Sequence, residues 1–274
     1  FTDRRQRQMC IRDRENRGAE AKKNLKARLV AWDSRQVRSE LARHYDPYWQ
    51  GLHVTAHETF ANLLREITDD EIKINLHPDQ DRDATRICFA LNDHPGIFSR
   101  LAGALALVGA NVVDARTYTS KDGYATAAFW VQDTYGNPYK VTHLKRLHTM
   151  IEKTLKGEVI TQEAIKDRDR LKKRERAFKV PTSITFDNDG SEIYTLIEVD
   201  TRDRPGLLFD LTRALANMNV YIASAVIATY GEQVVDTFYV KDTFGLKFHS
   251  PSKQRALEDK LRLAIELGVK RAEL

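Results

Sequence analysis

Residues 203–245 read DRPGLLFDLTRALANMNVYIASAVIATYGEQVVDTFYVKDTFG, and the order of elements in them decides the fold. They follow a strand at Tyr194–Asp200 (YTLIEVD). The turn Thr201–Gly206 leads into Leu207–Met218, whose apolar residues recur at helical spacing. Asn219–Tyr230 and Gln233–Asp242 then alternate as the two strands of a hairpin, and Lys253–Leu267 supplies a closing helix.

The same order occurs once upstream. Thr85–Leu91 (TRICFAL) reads as a strand, Asn92–Gly96 as a turn and Ile97–Val108 as a helix. Asn111–Ser120 and Tyr124–Asp133 are strands joined by the hairpin signal Lys121-Asp122-Gly123. Val141–Leu155 is a second amphipathic helix, and Thr182–Phe186 supplies a fourth strand. Single residues correspond as well. Asp93-His94-Pro95-Gly96 matches Asp203-Arg204-Pro205-Gly206, Asn111-Val112 matches Asn219-Val220, and VQDTYG (131–136) matches VKDTFG (240–245). A period near 110 residues marks a duplicated domain rather than a solenoid repeat. Each copy follows βαββαβ, the ferredoxin-like plan of an antiparallel sheet with two helices on one face, so the fold class is α+β. The first copy is expected over 84–187 with all six elements. The second is expected over 193–274, with room for no more than a frayed fourth strand.

Ahead of the repeat, 18–75 reads as helical, with Leu25, Leu29, Val37, Leu41, Phe60, Leu63 and Leu64 at three- and four-residue steps. Asp46-Pro47-Tyr48-Trp49 and Gly51 interrupt it as a turn. It is expected to be a helical connector to missing upstream domains. Residues 1–17 show no periodicity and are expected to be unstructured. Their MCIRDR string resembles sequencing-adapter read-through, which leaves open whether the segment is native.

The chain has 274 residues, a comfortable length for two folding units, with 42% hydrophobic and 30% charged residues as in ordinary globular proteins. No apolar run reaches membrane-spanning length, and the first thirty residues carry no signal-peptide core. Two cysteines, Cys10 and Cys88, form neither a disulfide framework nor a four-ligand zinc site, and a cytoplasmic location follows as the expectation. The net charge of +5 suggests a polyanionic partner until its location is read. Residues 1–30 hold ten Lys/Arg against four acids, and the remaining 244 residues sum to −1. A nucleic-acid partner is therefore not expected.

The Asp-x-Pro-Gly turns are the candidate site. Pro95 and Pro205 suit the first helical position. Gly96 and Gly206 let a ligand approach the backbone. Asp93 and Asp203 suit helix caps, and N–H groups left over at the positive helix end suit a carboxylate or phosphate. Asn111 and Asn219 offer both donor and acceptor to an amide. The competing reading makes these residues only a strand-to-helix turn, with asparagine as a helix-ending residue. Other signals are weaker. His53 and His57 have metal-ligand spacing but no third ligand follows, and no metal site is expected. The Asp-x-Asp pairs lie in charged linkers, and Cys88 reads as a small core residue. Arg168–Arg176 reads as an exposed charged helix or linker. Tyr118, Tyr124, Phe129, Trp130, Tyr135, Phe238, Tyr239 and Phe244 superficially resemble a stacking platform, but the absence of a basic surround favours core and interface roles.

The tandem Asp-x-Pro-Gly modules resemble ACT domains, the amino-acid-sensing family with this βαββαβ plan. Residues 203–245, with YDPYWQGLHVTAHETFANLL (45–64) before the pair, resemble the carboxyl end of the bacterial enzymes that uridylylate and deuridylylate the PII signalling protein. The first module departs from the pattern by carrying His94 where arginine is usual. The resemblance implies a glutamine sensor, with Asp93, His94, Pro95, Gly96, Asn111, Asp203, Arg204, Pro205, Gly206 and Asn219 as candidate ligand-binding residues. It also implies catalytic domains upstream, using UTP with Mg, that act on PII and touch the ACT pair intramolecularly. No catalytic residue and no cofactor are expected within this sequence. A regulatory ACT pair from another amino-acid-controlled enzyme is the alternative.

Overall fold

A computed structural model describes residues 16–157, 181–204, 206–230 and 233–273. Residues 1–15 and the charged stretch 168–176 lie outside the described residues. The chain divides into two compact units. One contains the sequence up to 75 together with Cys88–Asp93 and Tyr118–Thr126, and the other contains the remainder.

In the first unit, helix α1 (16–28) is followed by α2 (Ser34–Arg43), α3 (Asp46–Gly51) and α4 (Val54–Leu64). Helix α2 begins at a capping box. The Asp33 carboxylate accepts from Arg35 N and Gln36 N, and the Gln36 side chain accepts from Asp33 N. The expected turn at 46–51 is a short helix instead. Pro47 falls at its start, where proline fixes a helical φ and no N–H is needed. This lets α3 bury both Tyr48 and Trp49. The His44 ring stacks on Tyr48 with centroids 3.7 Å apart, and His57 Nε2 lies 3.1 Å from the Tyr48 carbonyl. Gly51 admits this packing because a Cβ there would fall on the Tyr118 hydroxyl.

The strands are β1 (Ile72–Asp79), β2 (Ala84–Asn92), β3 (Asn111–Thr119), β4 (Tyr124–Gln132), β5 (Ser183–Asp187), β6 (Thr195–Arg202), β7 (Val220–Tyr230) and β8 (Gln233–Asp242). They form one eight-stranded sheet in the order β1-β2-β4-β3-β7-β8-β6-β5. Helices α5 (Ile97–Leu107), α6 (Val141–Leu155), α7 (Leu207–Asn217) and α8 (Pro251–Glu273) complete the two copies. Helix α5 packs on α6, α7 packs on α8, and α5 meets α7. The buried aliphatics Leu101, Leu105, Leu211, Leu215, Leu257 and Leu261 all sit at helical spacing on these helices.

The copies join through antiparallel β3 and β7, with Ala115 opposite Ala225 and Arg116 opposite Ser224. Ala115 and Ala225 are equivalent residues of the two copies, so a local two-fold relation runs between them. Arg116 reinforces the seam by donating to the Ala225 carbonyl at 3.0 Å.

Two expectations change. Residues 183–187 do not close the first module. They pair antiparallel with β6, so this strand belongs to the second. The corresponding edge place beside β2 is taken by β1, within and beyond a segment that reads as helical in sequence. Each module is therefore β-βαββα, with its edge strand coming first.

Candidate functional site

The two Asp-x-Pro-Gly turns have one backbone geometry. Ile97 N donates to the His94 carbonyl at 3.1 Å, and Leu207 N donates to the Arg204 carbonyl at 3.2 Å. Gly96 has φ 83° and ψ 3°, and Gly206 has φ 75° and ψ 0°. A hydrogen bond from the fourth residue of a turn back to the first, with a left-handed glycine in third place, is the mark of a type II β-turn. Pro205 itself lies outside the described residues.

This geometry revises the roles expected of the turn. The helices begin after glycine, so Pro95 is not the first helical residue. Glycine is required by its positive φ, since a Cβ on Gly96 would meet the Ala216 Cβ at an ordinary 3.8 Å. Neither helix has a side-chain cap. Asp93 is engaged elsewhere: it accepts from Thr119 Oγ1 at 2.6 Å, and its N–H donates to the Gly123 carbonyl. The N–H groups of Phe98 and Ser99 consequently face out of the first turn of α5 with no hydrogen-bond acceptor among the described residues. Leu208 repeats this at α7. These donors sit at the positive ends of the helix dipoles, a setting suited to a small anion.

The asparagines part company. Asn219 has φ 55° and its N–H donates to the Ala216 carbonyl, so it is the left-handed residue that ends α7. In the first copy that task falls to Gly109, with φ 75°, while Asn111 is an exposed residue opening β3. The two match in sequence but stand two positions apart in structure.

The second residue of each turn separates the copies further. Arg204 is buried and donates to Asp210 Oδ2 at 2.5 Å, and Arg271 of α8 donates to the same oxygen at 2.7 Å. Gly268 makes room, because a Cβ there would fall within the Arg204 guanidinium. The arginine thus clamps α8 onto the second turn. In the first copy His94 is exposed, its Nδ1 3.0 Å from the Pro95 carbonyl. Arg100 stands where Asp210 stands in the second copy, and it donates to the Leu155 carbonyl at the end of α6. Opposite charges at one helical position hold down the closing helix in each copy.

One residue near the second turn escapes the motif. Asp236 on β8 is 1% exposed, and its Oδ1 has no hydrogen-bond partner. Burial, with the nearby Asp203 carboxylate, holds its carboxyl well above the usual carboxylate range. The signal was present in sequence: Val234, Asp236, Phe238 and Val240 alternate, which puts an acid at an inward-facing position.

His53 caps α4 and His57 is buried, lowered to about 4 by desolvation. Among the described residues no group of three His, Cys, Asp or Glu could hold a metal ion. Cys88 is buried in β2. Of the aromatics, Phe129 and Phe238 are core residues, while Tyr135 and Phe244 are exposed at equivalent loop tips. No helix among the described residues is long and apolar enough to cross a membrane.

A family model described as "ACR9-like, ACT-like domain" matches residues 183–271, beginning at β5. Curated relatives carry the name bifunctional uridylyltransferase/uridylyl-removing enzyme. The one from Ruegeria pomeroyi is 66% identical over 95% of this chain and 29% of its own length. The one from Cereibacter sphaeroides is 67% identical over 95% and 28%, and that from Rhodospirillum rubrum 37% identical over 94% and 28%. The chain thus spans less than a third of the length of these relatives. Among solved structures, aspartate kinase from Synechocystis is similar over 66% of this chain and 27% of its own, at 14% identity and a TM-score of 0.33. With two copies of the ACT plan in one sheet and 66–67% identity along 95% of its residues, this chain belongs to the family of bifunctional uridylyltransferase/uridylyl-removing enzymes, whose ACT-bearing portion it matches.

Proposed function

We propose that this ACT pair is the glutamine-sensing regulatory region of an enzyme that adds uridylyl groups to the PII protein and removes them. The observation that carries the reading is the pair of uncapped helix N-termini behind type II Pro-Gly turns, with donors of the first helical turn left over for a ligand carboxylate. Glutamine supplies that carboxylate, and its amide and ammonium groups fall to polar residues around the turns: Asp203 and Asn219 in the second copy, Asp93 and Asn111 in the first.

A regulatory effect follows if glutamine binds two arrangements of the modules with different affinity. The ligand then shifts their populations, and with them the balance between addition and removal in the whole enzyme. UTP with Mg, the PII protein and contact with upstream catalytic domains belong to that whole enzyme.

Calorimetric titration of the 274-residue chain with glutamine and with glutamate tests the proposal. The expected result is saturable heat from glutamine and little from glutamate. Heat from neither, or equal heats from both, refutes selective sensing. Selective heat from a different amino acid would move the chain to the alternative, an ACT pair serving another amino-acid-controlled enzyme.

A further inference from the structure

The β3–β4 hairpin is longer than the fold requires. Its counterpart between β7 and β8 turns in two residues, since Tyr230 pairs directly with Gln233. The first hairpin instead runs from Thr119 to Tyr124 through Ser120, Lys121, Asp122 and Gly123. Packing does not hold this tip. Lys121, Asp122 and Gly123 are exposed, and a Cβ on Gly123 would meet nothing within 4 Å. Hydrogen bonds fix it, and they run in two directions.

One set holds the first residue of the first Asp-x-Pro-Gly turn. Asp93 N donates to the Gly123 carbonyl at 2.9 Å, and Thr119 Oγ1 donates to Asp93 Oδ2 at 2.6 Å. The other set holds the helical connector. Lys121 N donates to the Arg43 carbonyl, and Lys121 Nζ to the Ala42 carbonyl, both at 2.8 Å. These carbonyls lie in the last turn of α2, where a helix has no internal donors to offer them. Arg43 Nε lies 3.0 Å from Asp122 Oδ2, and Arg43 Nη1 donates to Glu40 Oε2 at 2.9 Å and to the Leu64 carbonyl at 3.3 Å, where α4 ends. Tyr124 OH, at the base of the hairpin, donates to Asp69 Oδ1 at 2.8 Å. Ser120 braces the tip from inside: its hydroxyl donates to Asp122 Oδ1 at 2.5 Å and accepts from Tyr124 N at 2.9 Å. Every one of these groups belongs to the same compact unit.

We propose that the tip Ser120–Gly123 is the link through which a ligand at the first turn acts on the helical connector. This rests on the amino-acid-sensing reading and adds the element that carries the response away from the site. A ligand that orders Asp93 favours the tip conformation that Asp93 N and Thr119 define. The same conformation presents Lys121 and Asp122 to the end of α2. Each of the bonds to α2 is individually modest in water, so the tip can leave the helix while the sheet stays intact. That gives the element two states, attached and released, which both ends can bias. Coupling of this kind is reciprocal, so cutting the tip from α2 must weaken the ligand.

The test is hydrogen exchange by mass spectrometry, with calorimetric titration, of the 274-residue chain and glutamine. The chain is compared with the double variant Lys121→Ala/Asp122→Ala, whose altered side chains stand at the surface outside the turn. In the unaltered chain glutamine should slow exchange over 93–99 and also over 36–44, the second half of α2 and its end. The double variant should bind glutamine about 5- to 10-fold more weakly, the low end of usual couplings between sites. It should keep the response over 93–99 and lose that over 36–44. Thr119→Val cuts the tip from Asp93 instead, and should abolish the 36–44 response as well. If the double variant loosens 36–44 before ligand is added, Asp122→Ala alone, which leaves both Lys121 bonds in place, decides by the same two readings. A 36–44 response that survives either cut, or an undiminished glutamine affinity in the variant cut at α2, overturns the link and leaves the sensing reading standing. No heat from glutamine in the unaltered chain overturns the sensing reading, and this inference with it.

Discussion

Gly268→Ala tests whether the turn of the second module is held to the closing helix as described. Gly268 lies within α8, and in an ordinary helix interior alanine would be better by about 1 kcal/mol. Here the added methyl falls within the Arg204 guanidinium. That guanidinium cannot step aside into water, because its side chain is 2% exposed and bonded to an equally buried Asp210. Displacing it leaves Asp210 with Arg271 at 2.7 Å and the more distant Arg213 at 3.8 Å. Breaking one partner out of a buried pair costs about 3–5 kcal/mol, and the surviving Arg271 contact favours the lower end. After the helix-propensity gain, the net loss is about 2–3 kcal/mol. For a module of this size that lowers the melting temperature by roughly 10 °C or more. Calorimetric melting of the full chain reads it directly. The double variant with Arg204→Ala sharpens the test: once the arginine is gone, Gly268→Ala should no longer destabilise and should recover part of its propensity gain. A single Gly268→Ala variant that melts at or above the parent temperature would refute the clamp.

Two further expectations bear on stability. Gly96→Ala and Gly206→Ala should each cost about 1–2 kcal/mol, the price of a left-handed residue bearing a Cβ, without the larger loss of a steric clash at Gly96. Urea denaturation measures this, and a neutral Gly96→Ala would contradict the type II turn. His57, lowered from 6.5 to about 4 by burial, should make the helical connector acid-sensitive. Its folded value lies below its unfolded one, so its contribution is complete above pH 6.5 and is lost as the pH falls toward 4, amounting to about 3 kcal/mol over that window. Denaturation midpoints between pH 8 and 4.5 should fall less steeply in His57→Gln, and equal slopes would show that the imidazole does not titrate between the two states.

The sequence pattern carried the duplication, the hairpins and the helix faces because each depends on local spacing. Partner choice is not local. Ser183–Asp187 is correctly legible as a strand, but nothing in five residues says that it pairs with β6 rather than closing the first module. Ile72–Asp79 was missed because its isoleucines and leucine continue a helical rhythm, while alternation over so short a span competes poorly with it. The asparagine match failed for a related reason. Helix α5 ends through Val108 and Gly109, helix α7 through Met218 and Asn219, so an asparagine that terminates a helix was aligned with one that opens a strand. At the turn, motif reading found the backbone device but made Asp93 a helix cap and Arg204 a ligand-binding candidate. Thr119 and Asp210 claim them instead, and both lie too far along the chain for turn chemistry to reveal.

The two copies share a turn and differ in what surrounds it, which bears on how duplication becomes asymmetric function. A type II Pro-Gly turn ahead of an uncapped helix is a backbone feature, so it survives side-chain change and both copies retain it. Anchoring of the closing helix has been solved twice, by Arg100 on a helix carbonyl and by Asp210 on two arginines. The second solution draws Arg204 away from the turn mouth and sets its charge against Asp210. In the first copy His94 stays at the surface, Asp93 accepts from Thr119, and a buried alanine, Ala127, fills the place of Asp236. The first copy keeps the turn and the uncapped start of α5, with Gly96 beside Ala216 of α7.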